Sequence, residues 1–197
     1  MNFIFITRCS RPEYISRVKD SIKNVFKDSE HKYAHILIVD VLNVKDKPIF
    51  KTFIDDKTAV CYMAKREDDN YMADCIDVIL DTLEDYDAYV YILDDDNVLH
   101  PNFLQICKEN DNDYDALVFN IEGRDDWGTG SLKYNNPICH IDWANYITKL
   151  SVMKKIKVYH KDKLSQQCDG LFFSNVKKNN YRIKYVNKIL AYYNKLR

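Results

Sequence analysis

Residues 89–93, Tyr-Val-Tyr-Ile-Leu, run without a break into three consecutive carboxylates, Asp94, Asp95 and Asp96. A short run of β-branched, aromatic and aliphatic residues reads as a buried strand. Three adjacent like charges repel, and burying even one of them unpaired is costly. The least costly resolution is a divalent cation at the carboxyl end of the strand, the edge where open α/β sheets bind ligands. A bare acidic turn is the alternative. The hydrophobic strand before the triplet and the helix started by Pro101 after it favour the metal site.

The rest of the chain arranges itself around that strand. Residues 3–7 are a first apolar strand, and the turn Arg8-Cys9-Ser10-Arg11 follows. Ser10 is placed to cap a helix that has Pro12 in its first turn and Glu13 near its positive end. Ile15, Val18, Ile22, Val25 and Phe26 recur at helical spacing and give that helix one buried face. A strand, a polar loop and a helix start can receive a phosphate, and Arg8 and Arg11 add positive charge. The glycines of a dinucleotide fingerprint or a P-loop are missing.

Residues 35–39 form a second strand closed by Asp40, a carboxylate that can accept from a ribose hydroxyl or a base N–H. Residues 58–63 form a third. A helix starts after Asn70 with Met72, Cys75, Ile76, Ile79, Leu80 and Leu83 inward, and residues 88–93 form the fourth strand. A short helix over 101–109 and a strand over 116–121 come next. Residues 168–178 read as a helix, and residues 183–186 and 189–194 are strand-like. Alternating strands and helices predict an α/β sandwich with a mostly parallel sheet, in one domain without linker or repeat.

At 197 residues with 46% apolar content, a core of real size is possible. The opening residues lack a basic start and read as a strand rather than a leader, and no apolar run has the length of a membrane span. The six cysteines show no CxxC pairing and are expected to be reduced in a cytoplasmic protein. Charge is unevenly spread: residues 55–126 hold 21 Asp/Glu against five Lys/Arg, and residues 149–197 hold 13 Lys/Arg against two Asp. An acidic middle and a basic tail suggest a cation site and an anionic partner, or else two solvated surfaces. Gly123, Gly128 and Gly130 share a loop with Trp127 and Tyr134, composed as a substrate cover or as a surface hairpin.

Two motifs mislead. Asp111, Asp113, Asp115, Val118 and Glu122 have the spacing of an EF-hand loop, but Ala116 replaces its turn glycine and residues 117–121 read as strand. Residues 92–99 resemble the nucleophile motif of haloacid-dehalogenase-like phosphatases, with Asp94 as nucleophile. That motif usually opens its domain, and Asn120 stands where those enzymes carry Ser or Thr.

Taken together, the motifs resemble the GT-A fold glycosyltransferases, particularly small family-2-like enzymes, over nearly the whole chain. Thr7-Arg8-Cys9-Ser10-Arg11-Pro12 is similar to the turn that lines the family's nucleotide pocket, and Asp40 to the residue that contacts the base. Asp94-Asp95-Asp96 matches the DxD motif, which implies one carboxylate near the ribose and the last on Mn²⁺ or Mg²⁺ bridging the diphosphate. The resemblance puts Asp94 and Asp96 at the metal, and Thr7, Arg8, Arg11, Asp40, Asn70, Asp74, Asp94 and Asp95 around the nucleotide-sugar. Asp142 and Asp169 match two positions near the acceptor, the second being the base of inverting members. The segment 70–74 lacks the family's Gly and Arg, and Tyr193 stands where relatives place a metal-binding His.

The resemblance implies a GT-A three-layer sandwich with a nucleotide-sugar half over about 1–100 and an acceptor half over about 101–197. The implied function is metal-dependent, inverting transfer from a UDP-sugar to a glycan or lipid-linked hydroxyl, with possible contact to an anionic membrane and no nucleic acid partner. The alternatives are the phosphatase and a non-catalytic sugar-nucleotide or glycan-binding module.

Overall fold

A computed structural model describes residues 1–41, 47–63, 73–110, 114–123, 141–158, 168–193 and 195–196. Its centre is β1, Asn2–Cys9, whose residues 3–7 are all buried. A strand with both faces apolar must be covered on both sides. The cover comes from α1, Pro12–Phe26, and α3, Phe103–Glu109, on one face. On the other lie α2, Ala73–Thr82, α4, Leu150–Ile156, and α5, Cys168–Lys178. Helix, sheet and helix make the three layers.

The sheet has eight strands in the order β3-β2-β1-β4-β7-β6-β8-β5. They are β2, Lys32–Asp40, β3, Thr58–Met63, β4, Tyr89–Ile92, β5, Val98–Leu99, β6, Ala116–Gly123, β7, Tyr146–Lys149, and β8, Ile183–Tyr193. β1 pairs in parallel with both β2 and β4, and β2 with β3. β7 enters antiparallel between β4 and β6, which leaves β4, β6 and β8 pointing with β1. The carboxyl ends of β1, β2 and β4 therefore share one edge, and that edge carries Arg8, Asp40 and the acidic triplet.

Side-chain alternation along β1 decides what can reach the site. Phe3 and Phe5 point into an aromatic layer with Phe26, Tyr91 and Phe103, where Tyr91 and Phe103 stack at 5.6 Å. Ile4 and Ile6 point to the opposite face, among residues of α2, α4 and α5. Arg8 continues the Ile4 and Ile6 row, and Thr7 continues the Phe3 and Phe5 row.

Several elements differ from the sequence reading. β7 is not among the strands read from the sequence. The strand pairs on both sides, Thr148 and Lys149 with β4 and Tyr146, Ile147 and Thr148 with β6, so tertiary pairing sets its state. The two strand-like segments near the end are one strand, β8, with register irregularities against β6 around Asn120. Asn187 sits at the irregularity and accepts from Asn120 Nδ2 at 2.8 Å, which explains the apparent break. Asp115, a candidate of the EF-hand spacing, accepts from Arg182 N at 2.9 Å and faces Lys149 at 3.6 Å. Asp111 and Asp113 lie outside the described residues, as do Gly128, Gly130, Trp127 and Tyr134.

Candidate active site

The triplet leaves β4 as a turn closed by Asn97 N donating to Asp94 O at 3.1 Å. Its charges are met by arginines from the β1–α1 turn. Arg8 Nε donates to Asp94 Oδ1 at 2.7 Å and Arg8 Nη2 to Asp94 Oδ2 at 2.6 Å, a bidentate pair. Asp95, only 1% exposed, accepts from Ser10 N at 2.7 Å, Arg11 N at 2.8 Å, Ser10 Oγ at 3.1 Å and the Arg11 guanidinium. Arg11 Nη1 also reaches Asp96 Oδ2 at 3.0 Å. The carboxylates thus clamp the turn that follows β1 to the end of β4.

Two expectations change here. Ser10 does not cap α1: the helix has no side-chain cap at its start, because the Ser10 hydroxyl is taken up by Asp95. Thr7 does not line the site with its side chain. It is fully buried on the far face of the sheet, with Oγ1 bonded to His35 Nε2 at 2.8 Å. Burial, with Lys19 nearby, pushes that imidazole down to about 3, so it is neutral at ordinary pH.

Asp142 and Asp169 reach the same charge cluster from the other half of the chain. Asp142 precedes the 3-10 turn Trp143–Asn145, accepts from Ala144 N at 2.8 Å, and its own N donates to Asn145 Oδ1 at 3.0 Å. This reciprocal box fixes the carboxylate's direction. Asp169 lies in the first turn of α5 with Oδ1 accepting from Gly170 N at 2.7 Å, and Tyr146 Oη donates to its carbonyl at 3.3 Å. Burial is the first cause raising Asp142 to about 6, followed by the Asp94 charge, while Ala144 N–H and Arg8 oppose the rise. Burial likewise raises Asp169 to about 7, followed by Asp142, with Gly170 N–H and Arg8 opposing. Burial works against the charge on Arg8, yet Asp94, with Asp142 and Asp169 behind it, holds the guanidinium more firmly protonated than usual. One guanidinium therefore sits in the field of three carboxyl groups from three separate elements.

Asp40 is buried at the end of β2, on the same sheet edge. Asp74 is buried in the first turn of α2, where Oδ1 accepts from the N–H of Cys75 at 2.9 Å. Asn70 lies outside the described residues. The side chains of Asp94 and Asp96 offer hard carboxylate oxygens of the kind Mg²⁺ and Mn²⁺ prefer. Among the described residues no group of three or more His, Cys, Asp or Glu is placed to hold a metal ion. The donor set fits a cation bound through one or two carboxylates and completed by phosphate and water, the habit of Mg²⁺ at phosphate sites. Arg8 was legible as a cation in the turn after the first strand, but its pairing with Asp94 and the Tyr146–Asp169 bond carry no sequence signal beyond residue type.

A curled, mostly parallel sheet between helical layers is a fold that the chain shares with a glycosyltransferase of known structure. Among the solved structures it resembles are those of TarS from S. aureus. TarS 1–349 superposes with TM-score 0.74 at 17% identity, over 98% of this chain and 60% of that one. The same protein in complex with UDP-GlcNAc gives 0.72 at 17% identity, over 98% and 58%, and in complex with UDP 0.70 at 17%, over 98% and 60%. The chain thus spans about 60% of the length of the structure it matches. No protein-family model and no curated protein matches the sequence.

Proposed function

We propose that this chain transfers a sugar from a nucleotide diphosphate sugar, a UDP-sugar foremost, to a hydroxyl acceptor with inversion at the anomeric carbon. The observation that carries the reading is the convergence of Asp142 and Asp169, both raised towards neutrality, on the Arg8–Asp94 pair at the carboxyl edge of β1 and β4. A general base works best with a pKa near the operating pH, and an acid–base group beside a fixed cation is arranged as a transfer site requires. The complexes of TarS with UDP-GlcNAc and UDP support a uridine donor for the shared fold.

In this mechanism Asp169 accepts the proton of the acceptor hydroxyl as that oxygen attacks the anomeric carbon. The bond from that carbon to the diphosphate oxygen breaks on the opposite face. Asp142, fixed by its box with Asn145, orients the acceptor. Arg8 and Arg11 face the diphosphate, Asp40 the base, and Asp94 the ribose side. Mn²⁺ or Mg²⁺, held through Asp94 and Asp96, would supply positive charge to the departing diphosphate. The half over about 101–197 takes the acceptor, a glycan or lipid-linked hydroxyl. The phosphatase alternative asks Asp94 to attack, and Asn120 stands where those enzymes carry Ser or Thr.

A panel of sugar nucleotides assayed for release of the nucleoside diphosphate, with and without acceptor and Mn²⁺, tests the function. Release from a UDP-sugar and an inverted product are expected. Hydrolysis of simple phosphomonoesters instead would favour the phosphatase, and donor binding without turnover the binding module. A retained anomer would remove the inverting step.

A further inference from the structure

Resting on the nucleotide-sugar reading, we propose that Arg8 is an internal counter-ion that exchanges Asp94 for the donor's diphosphate, so that Asp94 becomes free for a divalent cation only when the nucleotide arrives.

The two arginine pairs at the acidic turn are not equivalent. Arg11 is tied to Asp95, a carboxylate with 1% exposure that also holds the amides of Ser10 and Arg11, and to Asp96. Its two carboxylates are buried, at 1% and 3% side-chain exposure, although Arg11 itself is 27% exposed, so the carboxylate is what sets the two pairs apart. Arg8 and Asp94 instead keep side-chain exposures of 19% and 21%, so an incoming anion can reach the pair. Arg8 presents Nε and Nη2 side by side to the two oxygens of Asp94. The same two-pronged face of a guanidinium fits a phosphate as well as a carboxylate.

While Arg8 holds both oxygens of Asp94, a divalent ion brought to that carboxylate would lie beside a guanidinium and be repelled. A diphosphate offers Arg8 a stronger partner. A guanidinium stays protonated in proteins, so Arg8 changes partner without losing its charge. Nucleotide binding thereby uncovers a cation ligand. By reciprocity, the cation must tighten nucleotide binding by the same factor.

The test uses the full chain and Mn²⁺ followed by electron paramagnetic resonance, with and without UDP, for wild type and Arg8→Gln. Wild type is expected to bind Mn²⁺ weakly alone and at least tenfold more tightly with UDP. Arg8→Gln should bind Mn²⁺ alone about tenfold more tightly than wild type, with a smaller enhancement by UDP. If Arg8→Gln fails to fold, Arg8→Lys carries the test: lysine keeps the charge but lacks the fork, and a gain of about threefold is expected. Intact UDP and Mn²⁺ binding with the same Mn²⁺ affinity in wild type and variant overturns the exchange alone. UDP that fails to bind wild type at any Mn²⁺ concentration overturns the nucleotide-sugar reading, and the exchange with it.

Discussion

At the scale of single residues, Asp169 and Asp142 make the sharpest claims. The folded protein holds the Asp169 proton with a pKa of about 7 against an ordinary 3.8, so it binds more protons than the unfolded chain between those values. Stability from this group is complete below about pH 4 and is lost as pH rises through about 7. Asp169→Asn should therefore melt with wild type near pH 4 and above it at pH 8, a gap that pH-dependent melting curves would read. The same substitution should lower transfer by about 100-fold or more while leaving UDP affinity nearly intact. It should also abolish the rise of wild-type activity through pH 7. Asp142→Asn removes a like charge next to Asp169, so the acid limb of the pH profile should shift down, the two carboxyls titrating as a coupled pair. If Asp142→Asn causes the large loss and Asp169→Asn does not, the roles are reversed. In the sequence, the acidic triplet was visible because a hydrophobic strand ran straight into it. The identity of its counter-charges was not, because a strand pattern says where Asp94 lies but not what faces it. Thr7 and Arg8 were grouped by motif, although adjacent strand residues point to opposite faces, and only Arg8 shares the face of the cluster.

Among the elements, the acidic turn acts as a clasp between β4 and the start of α1. Asp95→Ala would leave Arg11 and two backbone amides without their acceptor, at a cost of about 3 kcal/mol for breaking a largely buried pair. The urea midpoint should fall accordingly. Asp96→Ala should weaken the binding of UDP with Mn²⁺ more than it weakens the fold. The basic segment after β7 also takes a different part from the free surface its composition suggests. Lys154 Nζ donates to Leu83 O at 3.0 Å and Asp85 Oδ1 at 2.5 Å, and Lys157 pairs with Asp81. The acidic end of α2 and the basic end of α4 thus neutralise each other. Replacing Lys154 and Lys157 by Gln should lower the melting temperature slightly, each exposed pair being worth under about 1 kcal/mol, and leave UDP affinity unchanged. A strong loss of UDP binding in a still-folded variant would contradict this placement. The longer elements were legible because their periodicity is strong: α1 starts at Pro12, and β3 has the expected bounds. β5 and β7, of two and four residues, exist through their partners, and a pattern that short carries no period.

Across the whole molecule, the sheet order brings the first hundred residues and the later Asp142 and Asp169 to one cluster. β7 inserts between β4 and β6, and the 3-10 turn just before β7 sets Asp142 within the field of Arg8. A strand that runs against its neighbours at this point is invisible to local patterning, although it is what brings the two halves of the chain to one cluster. Within the described residues no helix is long and apolar enough to cross a membrane. The central claim is that a nucleotide diphosphate binds at the carboxyl edge of β1 and β4. Calorimetric titration of UDP in the presence of Mn²⁺ into wild type and Asp94→Asn tests it most directly. One saturable site in wild type, weakened tenfold or more in a variant that melts normally, is the predicted result; no binding, or equal binding in both, would contradict it.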